Sequence, residues 1–514
     1  APAAHPPSGA DVDPPEVQVG ERLFLETRFA QYFAAHGAGT NVPLAAGDPA
    51  MEALPTSDGP LPGPFAGLSM NCRNCHLVDD TAGAPTRTYA DYSRQSLVPS
   101  RADGQERTPR NSPSLVNANL ARPVPFLLHF DGEFASLDDL VRGTLTGRNF
   151  GWLPGEAPQA IAQIARVIRE DDGSDANAQG FGGVPYRTLL TGTDPSIPAE
   201  LVLPAEYRLD AASADDAAIF AAVARLISAY TVSLAFANAS PYDAFLAKNG
   251  LPAAPDPGES DLAYSRRLRA AVEALADPVF VGPGDGEFSE HDQEFVFGPD
   301  ELKGMKIFFR EPLPQTLAGD PRYLSPRTGN CIACHAAPNF TDFSFHNTGV
   351  AQEEFDAAEG DGAFAALFVP DLGERAAHPD AFLPATAAHP AGSGVFRRPP
   401  LDLGVWNVYG NPDFPAPQAA LAGILGPLSA QTLRDSIARF KTPGLRDLGQ
   451  SGPYLHTGRK RDLEEVLELY AASSAKQRAG GLRNGADELS GMFLGEGDID
   501  PLAAFLRALN EDYN

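Results

Sequence analysis

Cys72-Arg73-Asn74-Cys75-His76 and Cys331-Ile332-Ala333-Cys334-His335 decide how this 514-residue chain is read, and together they use all four of its cysteines. A C-x-x-C-H unit is an attachment sequence for c-type haem. Two thiols three positions apart reach the two vinyl groups of one porphyrin, and the next histidine offers a ring nitrogen to the iron. Other uses of these cysteines fit less well. A thioredoxin-like pair needs a βαβ setting that the flanking sequence lacks. A zinc site built from all four thiols would join opposite halves of the chain and leave both histidines unexplained. Disulfides within each unit would close loops too short to stabilise much. The sequence therefore implies two covalently bound haem c groups, held by Cys72, Cys75, Cys331 and Cys334, with His76 and His335 as proximal iron ligands. Covalent attachment implies assembly outside the bacterial cytoplasm, in a periplasmic or secreted protein.

Working outward, each motif sits in a similar frame. Gly20-Glu21-Arg22-Leu23-Phe24 precedes the first and Gly304-Met305-Lys306-Ile307-Phe308 the second, both reading G-x-x-apolar-Phe. Each half closes on an amphipathic helical pattern: Val223, Leu226, Ile227, Tyr230 and Leu234 in the first, Leu502, Phe505, Leu506 and Leu509 in the second. A helix, a haem-binding loop and a closing helix are the parts of a cytochrome c domain. The expected fold is thus mainly α with much irregular loop, as two cytochrome c-type haem domains in one chain with long insertions. The expected boundaries are 1–250 for the first domain, with an insertion at about 155–215, a linker at 251–297, and 298–514 for the second, with an insertion at about 350–430. Ser240-Pro241-Tyr242-Asp243 reads as a turn, and a short helix is expected near Tyr264–Leu275 within the linker. The 48 prolines and 49 glycines fit long irregular connections.

The hydrophobic content of 43% supports real cores, and no run approaches the ~20 consecutive apolar residues of a membrane helix. The formal charge of −28 is spread along the chain, which argues against nucleic acid as a partner. It fits a solvated acidic surface or steering toward a basic redox partner. The opening Ala1-Pro2-Ala3-Ala4-His5-Pro6-Pro7 has no leader pattern and reads as a mature N-terminus.

Further segments resemble the bacterial dihaem cytochrome c peroxidases and the related MauG. Arg110-Asn111-Ser112-Pro113-Ser114-Leu115-Val116-Asn117-Ala118 is similar to the family's R-N-[ST]-P-[ST]-x-x-N-A, and Phe130-Asp131-Gly132-Glu133-Phe134-Ala135-Ser136-Leu137 to its F-W-D-G-R-A-x-x-L. Phe345-His346-Asn347-Thr348-Gly349 matches F-H-N-T-G. Phe440-Lys441-Thr442-Pro443-Gly444-Leu445-Arg446-Asp447 leads on to Gly452-Pro453-Tyr454-Leu455-His456-Thr457-Gly458 and Leu463-Glu464-Glu465-Val466, close to F-K-T-P-T-L-R-N, A-P-Y-x-H-D-G and L-E-E-V. The resemblance implies an oxidoreductase in which the N-terminal haem meets peroxide or another oxidant while the C-terminal haem relays electrons from a small redox protein or cytochrome. It also implies a calcium ion between the haems, held by the Asn111 side chain and the Ser451 and Pro453 carbonyls; oxygen ligands suit a hard cation. Arg446 and His456 fall in segments that border the haems, and His456 is expected in a polar network rather than on iron.

Two departures separate this chain from that pattern. Phe130 stands where the family has its inter-haem Trp, and Thr146-Gly147-Arg148-Asn149-Phe150-Gly151-Trp152 has no acid where the family places the Glu that handles protons. Candidate groups of the first distal pocket are Arg148, as an anion stabiliser or a surface charge, Asn149, Phe150, and Trp152, as a redox relay or a packing residue. The second haem has Tyr470 at the position of the family's Met or MauG's Tyr, with Met492 as the other candidate ligand and a core role for Tyr470 also open. His129 and His36 are the histidines available near the first haem, each equally readable as a satisfied polar group. These departures keep three alternatives to peroxide reduction in view: an O2-using dihaem enzyme like the rubber oxygenases, a MauG-like enzyme acting on a protein or organic substrate, and a pure electron-transfer cytochrome.

Overall fold

The computed structural model describes residues 13–49, 54–56, 59–61, 68–76, 98–99, 101–104, 108, 110–288, 291–313, 326–369, 371–373 and 402–511. Within these the chain is mainly helical, with long irregular connections and two small two-stranded antiparallel sheets, Leu54–Thr56 with Gly59–Leu61 and Phe345–His346 with Phe440–Lys441. Part of the segment at 350–430, residues 370 and 374–401, lies outside the description.

The repeated G-x-x-apolar-Phe frame has a steric cause. Pro15–Phe24 is a helix that crosses the Asp216–Ser233 helix at Gly20, where a Cβ would stand 2.2 Å from the Leu226 carbonyl oxygen and 3.0 Å from the Tyr230 Cβ. Pro299–Phe308 crosses Glu496–Arg507 at Gly304, where a Cβ would stand 1.8 Å from the Pro501 oxygen and 2.8 Å from the Phe505 Cβ. Both contacts pair a carbonyl with the side chain four residues later, so the two crossings are geometrically alike. Four residues beyond each glycine the phenylalanine packs on the partner's aromatic, Phe24 on Tyr230 at 5.1 Å and Phe308 on Phe505 at 5.2 Å. Backbone cannot retreat as a side chain can, so Gly304→Ala and Gly20→Ala should each destabilise the protein by about 3 kcal/mol or more. Denaturant melts of each variant against the parent, read by far-UV circular dichroism, check this; unchanged midpoints would show that the crossings are looser than drawn.

Three hydrophobic cores follow. The first gathers Leu23, Phe24, Val223, Ile227 and Tyr230 with Ile164, Ile168, Tyr186, Leu190 and Leu203, so segment 155–215 supplies buried residues to the same core as the first helix crossing. Its anchor is a buried ion cluster. Asp171 accepts from Arg22 at 2.8 Å, Arg28 at 3.0 Å and the Tyr186 amide at 2.9 Å, while Glu26 holds Arg28 at 2.6 Å. The second core surrounds Met305, Phe308, Phe340, Leu502 and Phe505 and takes in Tyr242 and, from the stretch 251–297, Tyr264. The third joins Leu127 and Phe345 to Leu403, Trp406, Tyr409, Leu421 and Leu433.

Two local readings change. Ser240-Pro241-Tyr242-Asp243 is not a turn but the start of a helix, Pro241–Lys248. Ser240 caps it, Pro241 fixes the first turn, and Asp243 returns the bond to the Ser240 amide, a capping box. The linker helix runs over Asp261–Glu273, starting earlier because Ser260 caps it. Among the described residues one helix, Asp216–Ser233, is long and apolar enough to cross a membrane, with half of its apolar window buried. Its Val223, Leu226, Ile227 and Tyr230 lie in the first core.

Candidate haem sites and the network between them

Both C-x-x-C-H units begin as a single 3-10 turn, Cys72–Asn74 and Cys331–Ala333, closed by the second cysteine's amide on the first cysteine's carbonyl. This brings the two thiols to one side of the loop. Burial pushes the Cys72 and Cys331 thiols up to about 12, so they are held as neutral thiols in apolar surroundings. His335 donates from Nδ1 to the Phe340 carbonyl at 2.9 Å, which leaves Nε2 as the lone-pair nitrogen. His76 makes the corresponding backbone bond to Pro113, and burial, with nearby His129, holds it down at about 4. Both imidazoles are thus neutral, the form that ligates iron.

Cys72, Cys75 and His76 open onto a solvent-connected cavity with about 1320 Å³ of empty space. Leu140, Val141 and Leu145 from the Leu137–Leu145 helix, together with Phe24, Phe150 and Ile227, give it a largely apolar wall. Two adjacent thiols, a neutral histidine with its second nitrogen tied to backbone, and a largely apolar cavity wall fit haem c.

The expected distal residues divide. Asn149 and Phe150 line the cavity. Arg148 is buried, not a surface charge: its Nε and Nη2 donate to Asp103 at 2.6 and 3.1 Å and Nη2 to the Pro99 carbonyl at 2.6 Å. Trp152 is buried and lines a separate groove on the far side of Phe150 and Gly151.

The acid missing from 146–152 lies elsewhere in the cavity wall. The Leu128 amide bonds the Phe134 carbonyl at 2.8 Å and folds 128–134 into a tight turn, with His129 and Gly132 both left-handed at φ 64° and 74°. The turn presents His129 and buried Glu133 to the cavity, His129 Nδ1 lying 3.1 Å from Glu133 Oε2. Sequence reasoning passed over Glu133 because it looked downstream of the F-D-G-E motif, whereas the turn returns the motif itself to the pocket.

At the second unit Tyr470, on the Leu463–Arg478 helix, is half-buried. Burial raises its hydroxyl well above the ordinary range, and the Cys334 and Cys331 thiols lie close enough to add to the shift. Tyr470 therefore faces the haem-binding loop. Met492 is buried, with its carbonyl accepting from Arg478. Arg446 lies close to the second unit, its Nε donating to the Pro338 carbonyl three residues after His335. It pairs with Asp243 at 2.8 Å and Glu511 at 3.1 Å, tying the Pro241–Lys248 helix to the second core. His36 lies at the exposed end of its short helix, its Nδ1 against the Tyr32 carbonyl.

Between the units the family-like segments dock on one another. The Asn111 amide donates to the His456 carbonyl at 2.8 Å, and Asn111 Nδ2 to the carbonyls of Pro453 and Leu455 at 2.8 and 2.9 Å, while its buried Oδ1 has no partner. Turned about its amide, that side chain would offer Oδ1 to a cation beside the Pro453 oxygen. The Ser451 hydroxyl donates to the Asp447 carbonyl at 3.1 Å. Arg110 bridges Asp131 at 2.7 Å and Asp402 at 2.6 Å. Burial alone would raise the Asp402 carboxyl, but the Arg110 charge and hydrogen bonds bring it down to about 2. His456 stacks on Phe440 at 3.8 Å, with Phe130 at 6.4 Å and Asp402 at 3.9 Å, and burial lowers it to about 4. Phe130, His456 and Phe440 thus form a run of contacting rings.

No family model matches the chain. It is 24% identical over 238 residues to the cytochrome-c peroxidase IdrP2 of Denitromonas iodatirespirans, 42% of this chain and about half of that protein, 51%. It is 22% identical over 459 residues to the methylamine utilization protein MauG of Methylorubrum extorquens, 88% of this chain and 96% of that protein. Among solved structures it is similar to the dihaem peroxidase BthA of Burkholderia thailandensis, at 17% identity and a TM-score of 0.45 over 98% of this chain and 87% of that one. With both C-x-x-C-H units in place, the two sequence matches show a chain similar to the MauG and dihaem cytochrome c peroxidase proteins.

Proposed function

We propose that this chain is an exported dihaem c-type oxidoreductase that reduces peroxide at the His76 haem with electrons relayed through the His335 haem. Each haem would occupy its own cytochrome c-type domain, 1–250 and 298–514, on either side of the stretch 251–297. The asymmetry between the sites carries this reading: the first unit opens onto a cavity holding an acid–base pair, His129 and Glu133, and the second faces Tyr470. When bound, the first haem supplies the redox chemistry. The chain's own residues admit the oxidant past Asn149, exclude bulk water with Phe150 and Leu140, and exchange protons through Glu133, whose carboxylate His129 steadies. Electrons would enter at the second haem from a small redox protein or cytochrome and cross by the Phe440, His456 and Phe130 stack. Hydrogen peroxide supplied to the reduced dihaem protein with a reduced soluble cytochrome c should be consumed at two donor oxidations per peroxide. Donor oxidation no faster than in the absence of enzyme would sink the peroxidase reading.

The apolar wall around Phe150 favours one second reading, O2 or an organic or protein substrate at the same site. Peroxide turnover that stays low while an added organic substrate is oxidised would select it.

A calcium ion between the haems belongs to the same proposal, with Asn111 Oδ1 and the Pro453 and Ser451 carbonyls as its ligands. The unpartnered Asn111 Oδ1 supports it. Chelation, and separately Asn111→Ala, should slow inter-haem electron transfer at least tenfold in flash-photolysis traces, with added calcium restoring the chelated sample. Traces unchanged by both treatments would remove the ion from the account.

A further inference from the structure

Away from both C-x-x-C-H units, the short Gln31–His36 helix and the Ala157–Glu170 helix form the walls of a groove with Trp152 at its base. Gln159, Ala162, Gln163 and Arg166 recur at i, i+3, i+4 and i+7 and so make one stripe along the longer wall. Ala34, Ala35 and Ala162 keep the walls low, and the groove is open to solvent.

Its polar groups are unusual in being unmet. The indole of Trp152 is only 4% exposed, and its Nε1 has no hydrogen-bond partner. Arg166 Nε is also buried without a partner, and among the described residues no carboxylate pairs with this guanidinium. The one acid of the groove, Glu156, is already held by Arg101 at 2.7 Å and by the Leu153 amide at 2.7 Å. In a chain of net charge −28 an unpaired, half-buried guanidinium is out of keeping with its surroundings. Buried N–H donors are nearly always paired. Two of them in one groove, one cationic and one neutral, call for an acceptor that arrives from solution.

We propose that this groove binds a small monocarboxylate, its oxygens accepting from Arg166 and Trp152 Nε1 and its hydrocarbon body lying against the three alanines. A single cation, with Glu156 at the opposite end of the longer helix, suits one negative charge and disfavours phosphate. Trp152 stands two residues from Phe150, which lines the first haem cavity. The proposal is independent of what that haem does.

Isothermal titration of the dihaem protein with butyrate tests it, with butyramide and inorganic phosphate as comparison probes. Saturable butyrate binding is expected. Arg166→Met should weaken it at least tenfold and Trp152→Phe, which keeps the ring and removes the N–H, about tenfold, as hydrogen bonds to a charged group are worth. Circular dichroism confirms that each variant is folded; should Trp152→Phe fail, Arg166→Met decides alone. Absent butyrate binding, binding unaltered in Arg166→Met, or phosphate or butyramide binding as tightly as butyrate would each overturn the assignment.

Discussion

Glu133→Gln is expected to lower peroxide turnover by roughly 10²–10⁴-fold, the usual contribution of a positioned acid–base group, with haem content unchanged. Cleaving a peroxide O–O bond needs a proton moved from the near oxygen to the leaving one, and a positioned acid–base group does this faster than solvent. The wall contributed by Leu140, Val141, Leu145 and Phe150 has no ionisable group. Arg148 is engaged by Asp103 and Pro99, which leaves Glu133, buried and steadied by His129 at 3.1 Å, as the carboxylate of the cavity wall. The loss should fall on kcat rather than KM, because the amide keeps the shape of the acid. Asn149→Glu, which puts an acid on the opposite part of the lining, should recover part of it. Full activity in Glu133→Gln would mean that the proton travels by another path.

Removing the second haem should cost even more. In a Cys331→Ala/Cys334→Ala double variant the intact mass should fall by one haem, and steady-state turnover with a cytochrome donor should drop to background. Ligand binding at the first haem should persist. The reason is that the two units are built differently. The second has the Tyr470 phenol close to its thiols, whereas the first opens onto the cavity. The proposed path from the second unit to the first cavity is the run of Phe440, His456 and Phe130, of which His456 is buried and the two phenylalanines half-buried. A double variant that still turns over with the cytochrome donor would place electron entry at the first haem instead.

Much of this was legible in the residues because it depends on local chemistry. The C-x-x-C-H units specify their cofactor by spacing alone. The glycines of the G-x-x-apolar-Phe frames were visible as a repeat, although only the crossings with Leu226 and Pro501 explain why they are glycine. Ser240-Pro241-Tyr242-Asp243 was misread for want of attention to the Ser-to-Asp spacing, which is a helix start. What the sequence could not supply was long-range placement. The ion pairs of Arg446 with Asp243 and Glu511 join residues far apart in the chain, and no local pattern announces them. Arg148 looked free and is held by Asp103, more than forty residues before it. Glu133 enters the pocket because two left-handed residues reverse the chain, and no periodicity encodes that.

The most direct test of the division of labour is an electron paramagnetic resonance spectrum of the resting dihaem protein, recorded before and after cyanide is added. The account predicts a high-spin signal from the His76 haem that cyanide converts, beside a His335 haem signal that stays unchanged. Cyanide bound at the His335 haem, with the His76 iron already low-spin and unresponsive, would contradict it.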